Sequence, residues 1–181
     1  MSRIAIPTRE EAAPETHLTL DNVGKNLGFV PNLHRLMSIS PNVLAAFAGF
    51  QSQLAKTLDL KTREAIGIVI SEGSGCDYCV AAHSFLAAEK GKVDPAEIEL
   101  NRQGTSLDPK RAAAVAFARK VAATRGRVSN HDLALLRDAG YADAQVLEIT
   151  ALTAQFLLTN FINNVGQPEV DFPAVTEPAV A

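Results

Sequence analysis

The chain has 181 residues, 47% of them hydrophobic and 20% charged, with a formal charge of −3. That length permits one core hiding about 70% of the surface the unfolded chain exposes, and the balance excludes disordered and collagen-like sequences. A mildly acidic chain lacks the concentrated positive field that DNA or RNA binding requires.

The segment from Met1 to Glu15 lacks the basic start and apolar stretch of an export signal. The longest strongly apolar run, Ala65 to Ile70, is far shorter than the roughly 20 residues needed to cross a bilayer. The expectation is a cytoplasmic protein with neither nucleic acid nor membrane as partner. Residues 1–26 read as an N-terminal arm and 167–181 as a C-terminal tail on a single domain spanning 1–181. The tail mixes Val170, Phe172 and Val175 with Pro168, Pro173 and Pro178, and reads either as a strap over a neighbouring subunit or as a partly ordered terminus.

Between the arms the pattern is helical. Ser40-Pro41, Asp94-Pro95 and Asp108-Pro109 each set a capping side chain before a proline, which suits the first helical position because its missing N–H has no intrahelical partner there. Gly91, Gly126, Gly140 and Gly166 read as the matching stops, where glycine takes the left-handed conformation. Val43, Leu44, Phe47, Phe50 and Leu54 recur at helical steps, as do Val115, Ala118, Val121 and Ala122. The segments 64–71 and 146–162 are apolar on nearly every face and are expected to be central helices, and the alanines of 111–118 allow close helix contact. No segment alternates as a strand does. The expected fold is an all-α bundle.

Chemistry concentrates in Gly75-Cys76-Asp77-Tyr78-Cys79-Val80-Ala81-Ala82-His83. Helical from Cys76, this run places Cys76, Cys79 and His83 within an arc of about 60°, with the thiols near the positive end of the helix dipole, which favours thiolate. Cys79 and His83 form an i, i+4 pair able to exchange a proton directly or through water. Glu64, twelve positions before Cys76, lies across the Gly73-Ser74-Gly75 turn, and a helical hairpin folds it back toward the thiols. There it either orients His83 and accepts a proton, or complements the start of its own helix. Two cysteines and a histidine fall one ligand short of a closed zinc site unless Glu64 is the fourth. His17, His34 and His131 lie on separate segments and read as packed or solvated.

Glu64, eleven intervening residues, then Cys76-x-x-Cys79-x-x-x-His83 resembles the alkylhydroperoxidase D branch of the carboxymuconolactone decarboxylase superfamily. Gly28-Phe29-Val30-Pro31-Asn32, Ser40-Pro41 and the ending from Asn160 to Pro173 resemble its peroxidase-related members with extended termini. The resemblance implies an all-helical fold assembling as dimers, trimers or hexamers, and hydroperoxide reduction without cofactor or metal. Carried over by position, Cys79 is the peroxidatic thiol and Cys76 the resolving one, with Glu64 and His83 as proton relay. Cys79 attacks the O–O bond, becomes a sulfenic acid and condenses with Cys76 to a disulfide. An external dithiol, thioredoxin-like or a lipoyl protein, must then reduce it. One departure stands out: where the best-known members carry a histidine just before the second cysteine, this chain has Tyr78, a poor relay at neutral pH that also points away from the thiol face on an ideal helix. The alternatives are a general disulfide reductase and a non-enzymatic oligomeric redox sensor; a lactone decarboxylase does not depend on the cysteine pair.

Overall fold

A computed structural model describes residues 2–173, so Val175 and Pro178 of the tail lie outside the described residues. A short 3-10 turn, Pro14–Thr16, leads into α1 (His17–Leu27), α2 (Asn32–Met37), α3 (Pro41–Leu54), α4 (Leu60–Gly73), α5 (Asp77–Glu89), α6 (Pro95–Gln103), α7 (Pro109–Thr124), α8 (Asn130–Asp138) and α9 (Asp143–Gly166). Among the described residues there is no strand, and no helix is long and apolar enough to cross a membrane. The architecture is all-α, as the periodicity predicts.

The proline marks fall where helices begin. Asp94 accepts the Ala96 N–H at 2.8 Å and Asp108 the Arg111 N–H at 3.0 Å, whereas the Ser40 side chain makes no such bond. The glycine stops divide in two. Gly126 and Gly140 are left-handed, at φ 80° and 87°. At Gly91 and Gly166 the left-handed residue is instead the next one, Lys92 or Gln167. These two glycines are there for room: a Cβ would come within 2.7 Å of the Ala87 carbonyl oxygen at Gly91 and 2.5 Å of Leu36 Cδ2 at Gly166.

α4 is the central rod, touching α5, α6, α7 and α9, with every side chain from Glu64 to Ser71 buried. Ala114 and Ala118 on α7 are fully buried and let α7 close on α4. Ile66, Val69 and Ile70 of α4 pack there with Val115, Ile149 and Leu152. A second core joins Leu20, Leu33 and Phe47 from the N-terminal third to Cys76, Tyr78 and Cys79 of the hairpin and Phe172 of the tail. Burial of α9 is less complete than its composition implies, for Leu147, Phe161 and Val165 are exposed. On α3, Leu44, Phe47 and Leu54 are buried, while Val43 and Phe50 face outward. Helical spacing identifies a stripe but not its edges, and flanking apolar residues stay outside.

Candidate active site

The start of α4 is pinned by Asp59, which accepts the Thr62 N–H at 3.0 Å and its hydroxyl at 2.6 Å. That fixes the register in which Glu64, Gly67 and Ser71, at steps of three and four, follow one face. At the far end the Ser71 carbonyl accepts the Cys76 N–H at 3.0 Å, tying the first cysteine to the end of the rod. The chain reverses through Gly75, at φ 60°, and enters α5.

Cys76 does not begin the helix; it caps it. Its backbone is non-helical (φ −104°, ψ 87°), and its Sγ accepts the Cys79 N–H at 3.4 Å in place of the usual capping oxygen. Both cysteines are reduced and only 2% exposed. Their thiols hydrogen-bond to one another. This contact, with the Cys79 N–H and the Asn163 amide, holds Cys76 below the usual thiol range; burial opposes it. Cys79 keeps the shared proton, and the negative Cys76 together with burial pushes it well above that range. Of the pair, Cys76 is therefore the sulfur that ionises first, the member that the family resemblance makes resolving, and the two titrate as a unit.

His83, on the next turn of α5, meets Glu64 across the hairpin: Nδ1 and Glu64 Oε2 are 2.8 Å apart. A carboxylate only accepts, so Nδ1 carries a hydrogen and donates it to Glu64, which in the neutral ring leaves Nε2 as the acceptor. Glu64 is buried and does not serve the start of its own helix. Two neighbours fix the ring. The Phe156 ring meets it edge-on at 4.6 Å, and a Cβ on Gly67 would lie 2.6 Å from Nδ1. The imidazole thus lies against the bare backbone of α4. His83 and Cys79 line one cavity of about 240 Å3, walled by Phe47, Phe156, Phe172 and His34.

Sequence reasoning missed several residues here. Asn163 Nδ2–H donates to Cys79 Sγ at 3.0 Å, and the Thr159 hydroxyl contacts the same sulfur. Gln155, Thr159, Asn160 and Asn163 are buried along one face of α9. Polar residues at that spacing within an apolar run were the available signal. His34 is packed, as expected, but within the wall of the thiol cavity; burial lowers its pKa to about 4, which keeps it neutral at neutral pH. Among the described residues, no three His, Cys, Asp or Glu side chains group as a metal site would.

Tyr78 is turned away from the thiols. Its hydroxyl donates to Asp171 Oδ1 at 2.7 Å and accepts the Leu33 N–H at 3.1 Å, and burial with the Asp171 carboxylate pushes its pKa up. Asp171 Oδ2 also accepts the Asn32 N–H at 2.6 Å, and Phe172 packs edge-on against the Tyr78 ring. Residues 168–172 are in this way strapped over their own chain. Tyr78→Phe removes a hydrogen bond to a carboxylate and strands a buried N–H, so urea unfolding should show a loss of about 2–3 kcal/mol. A change below about 0.5 kcal/mol would mean that the strap is held elsewhere.

Residues 41–120 match the family model of the carboxymuconolactone decarboxylase family. No curated protein matches the chain. Among solved structures, a peroxidase-related protein from Ralstonia eutropha JMP134 with the alkylhydroperoxidase AhpD core is 26% identical, with TM-score 0.85 over 94% of this chain and 92% of that one. A peroxidase-related protein from Silicibacter sp. TM1040 is 24% identical, with TM-score 0.80 over 93% and 91%. The debrominase Bmp8 is 23% identical, with TM-score 0.79 over 93% and 92%. The family match over residues 41–120 and this shared architecture support placing the chain in the carboxymuconolactone decarboxylase superfamily, with an alkylhydroperoxidase D-like fold.

Proposed function

We propose that the protein is a thiol-dependent peroxidase that reduces hydroperoxides through the Cys76–Cys79 dithiol and draws electrons from an external dithiol. The observation carrying this reading is the pair of contacting, reduced sulfurs beside an imidazole held by a buried carboxylate, with Cys79 and His83 facing one cavity. Hydroperoxide entering that cavity meets Cys79. The Cys79 proton passes to Cys76 along their shared hydrogen bond, or to His83 Nε2, which Glu64 aims through Nδ1. Cys79 thiolate then attacks one peroxide oxygen. The O–O bond breaks, the alkoxide leaves and is protonated, and Cys79 becomes a sulfenic acid. Cys76 attacks that sulfur, water leaves, and the disulfide forms. The phenyl rings of the cavity wall favour an organic hydroperoxide over hydrogen peroxide. An exposed apolar face including Ile39, Val43, Phe161 and Val165 supports self-association.

Intact-mass analysis after one equivalent of cumene hydroperoxide tests this. The expected product has lost two hydrogens and has no free thiol; unchanged mass with intact thiols overturns the reading. The aromatic walls also favour a second reading, reductive dehalogenation of a small aryl halide by the same dithiol, as the likeness to a debrominase invites. In that case the same disulfide forms with tribromopyrrole as bromide is released, and hydroperoxide leaves the thiols unchanged.

A further inference from the structure

The two sulfurs touch, yet they open onto different spaces. Cys79 lines the cavity of about 240 Å3 with His83, and Cys76 does not. Cys76 lines a separate cleft of about 190 Å3 with Asp77, Asn163, Asn164, Gln167 and Val170, where neither Cys79 nor His83 appears. Tyr78 borders both, and the strap gives Phe172 to one and Val170 to the other, so the turn between the cysteines and residues 168–172 form a partition. The spaces differ in chemistry: the Cys79 side is walled by aromatic rings, the Cys76 side by carboxamides. Asn163 is 2% exposed, and its Oδ1 lacks a hydrogen-bond partner, the signature of an acceptor awaiting a donor.

We propose that the cleft at Cys76 is the docking site of the reductant, a slender polar dithiol, and that oxidant and reductant reach the redox pair through opposite mouths. This rests on the dithiol cycle of the preceding subsection and adds where its second half occurs. Displacement at sulfur runs nearly in line, the attacking sulfur approaching opposite the one that leaves. Cys76 lines the cleft and Cys79 does not, so of the two sulfurs of the disulfide Cys76 is the one a thiolate in the cleft meets. One reductant thiolate attacks Cys76 Sγ, forming a mixed disulfide, and the Cys76–Cys79 bond breaks. Cys79 leaves as thiolate, held by the Asn163 N–H, and takes up a proton. The second reductant thiol, losing its proton, attacks its partner sulfur in the mixed disulfide, closing the reductant's own disulfide and releasing Cys76 thiolate. Two electrons pass in from the reductant, and the oxidant later removes two. Cys76 lines the cleft yet is only 2% exposed, so a narrow arm reaches it where a broad protein surface does not.

The test measures the two half-reactions separately. Disulfide is formed with diamide, and its reduction by dithiothreitol is followed by quenching, alkylation and mass analysis; oxidation by cumene hydroperoxide is timed in the same way. Val170→Trp, which adds bulk to the half-exposed wall of the cleft, is expected to slow reduction about tenfold relative to oxidation. Val23→Trp, in the wall of the other cavity, is expected to shift that ratio the opposite way. Urea unfolding of Val170→Trp should match that of the unsubstituted protein, showing that blockage rather than a disturbed strap is responsible. Equal slowing of reduction by both tryptophans, no slowing by Val170→Trp, or slowing that comes with a loss of stability in Val170→Trp overturns the proposal. Because diamide loads the disulfide, reduction is measured even if no hydroperoxide is accepted, and that failure counts against the peroxidase reading alone.

Discussion

Cys79→Ser should lower hydroperoxide turnover to the protein-free rate, whereas Cys76→Ser should retain one turnover and stop at a Cys79 sulfenic acid that dimedone traps. The asymmetry follows from the spaces the sulfurs face. A hydroxyl at 79 leaves the cavity beside His83 without a nucleophile, and Cys76 does not border that cavity. A hydroxyl at 76 keeps a hydrogen-bond donor against Cys79 but removes the thiolate whose charge holds the Cys79 proton. The Cys79 thiol then ionises more readily than in the pair, so the first oxidation need not slow. With no second sulfur, the cycle ends there. Acidity has a matching signature. The first ionisation of the pair lies below the usual thiol range, so its anion persists as pH falls past the point where a free thiol is protonated, and is lost only below that lowered value. Oxidation of the unsubstituted protein should therefore show an acid limb displaced downward from that of an unperturbed thiol. A limb at the ordinary thiol pKa would contradict the S–H···S contact.

Gly67→Ala should cost about 100-fold in turnover, the lower range for losing general acid–base assistance, with little change in stability. Two effects on stability oppose each other. Alanine gains about 1 kcal/mol of helix propensity over glycine, while a methyl forced into a filled site costs about 1–3 kcal/mol. The methyl would lie 2.6–2.7 Å from three atoms of the His83 ring, so the ring must move, and it moves away from Glu64. Catalysis bears the change. The control is a double-mutant cycle: with His83→Ala already present, Gly67→Ala should stabilise the protein by about 1 kcal/mol, because the obstacle is gone and only propensity remains. If Gly67→Ala destabilises equally in both backgrounds, the ring is not what the glycine accommodates.

Much of this site could be read along the chain because its parts share two consecutive helices. Cys76, Cys79 and His83 are local neighbours at helical spacing, and Glu64 lies one hairpin away, so hydrophobic periodicity and the Gly73–Gly75 turn bring it back. What could not be read depends on distant segments. Asn163 reaches Cys79 across 84 positions, and Asp171 reaches Tyr78 across 93; neither has a local pattern that announces its partner. Gly67 looks like an ordinary weak point in a helix until the ring against it is seen. The placement of Cys76 outside the helix was missed because the 100° step treats a capping residue like an internal one, although the cap turns its sulfur toward the Cys79 N–H.

The near-complete burial of both sulfurs bears on how this chain behaves among other thiol proteins. Bulky maleimides or biotin-bearing electrophiles fit neither narrow opening, so the native protein would pass through such labelling as though it had no cysteine. Adding denaturant before the reagent makes both visible at once. What keeps the pair from bystander chemistry is thus the shape of its approaches, while its acidity stays free to serve the reaction.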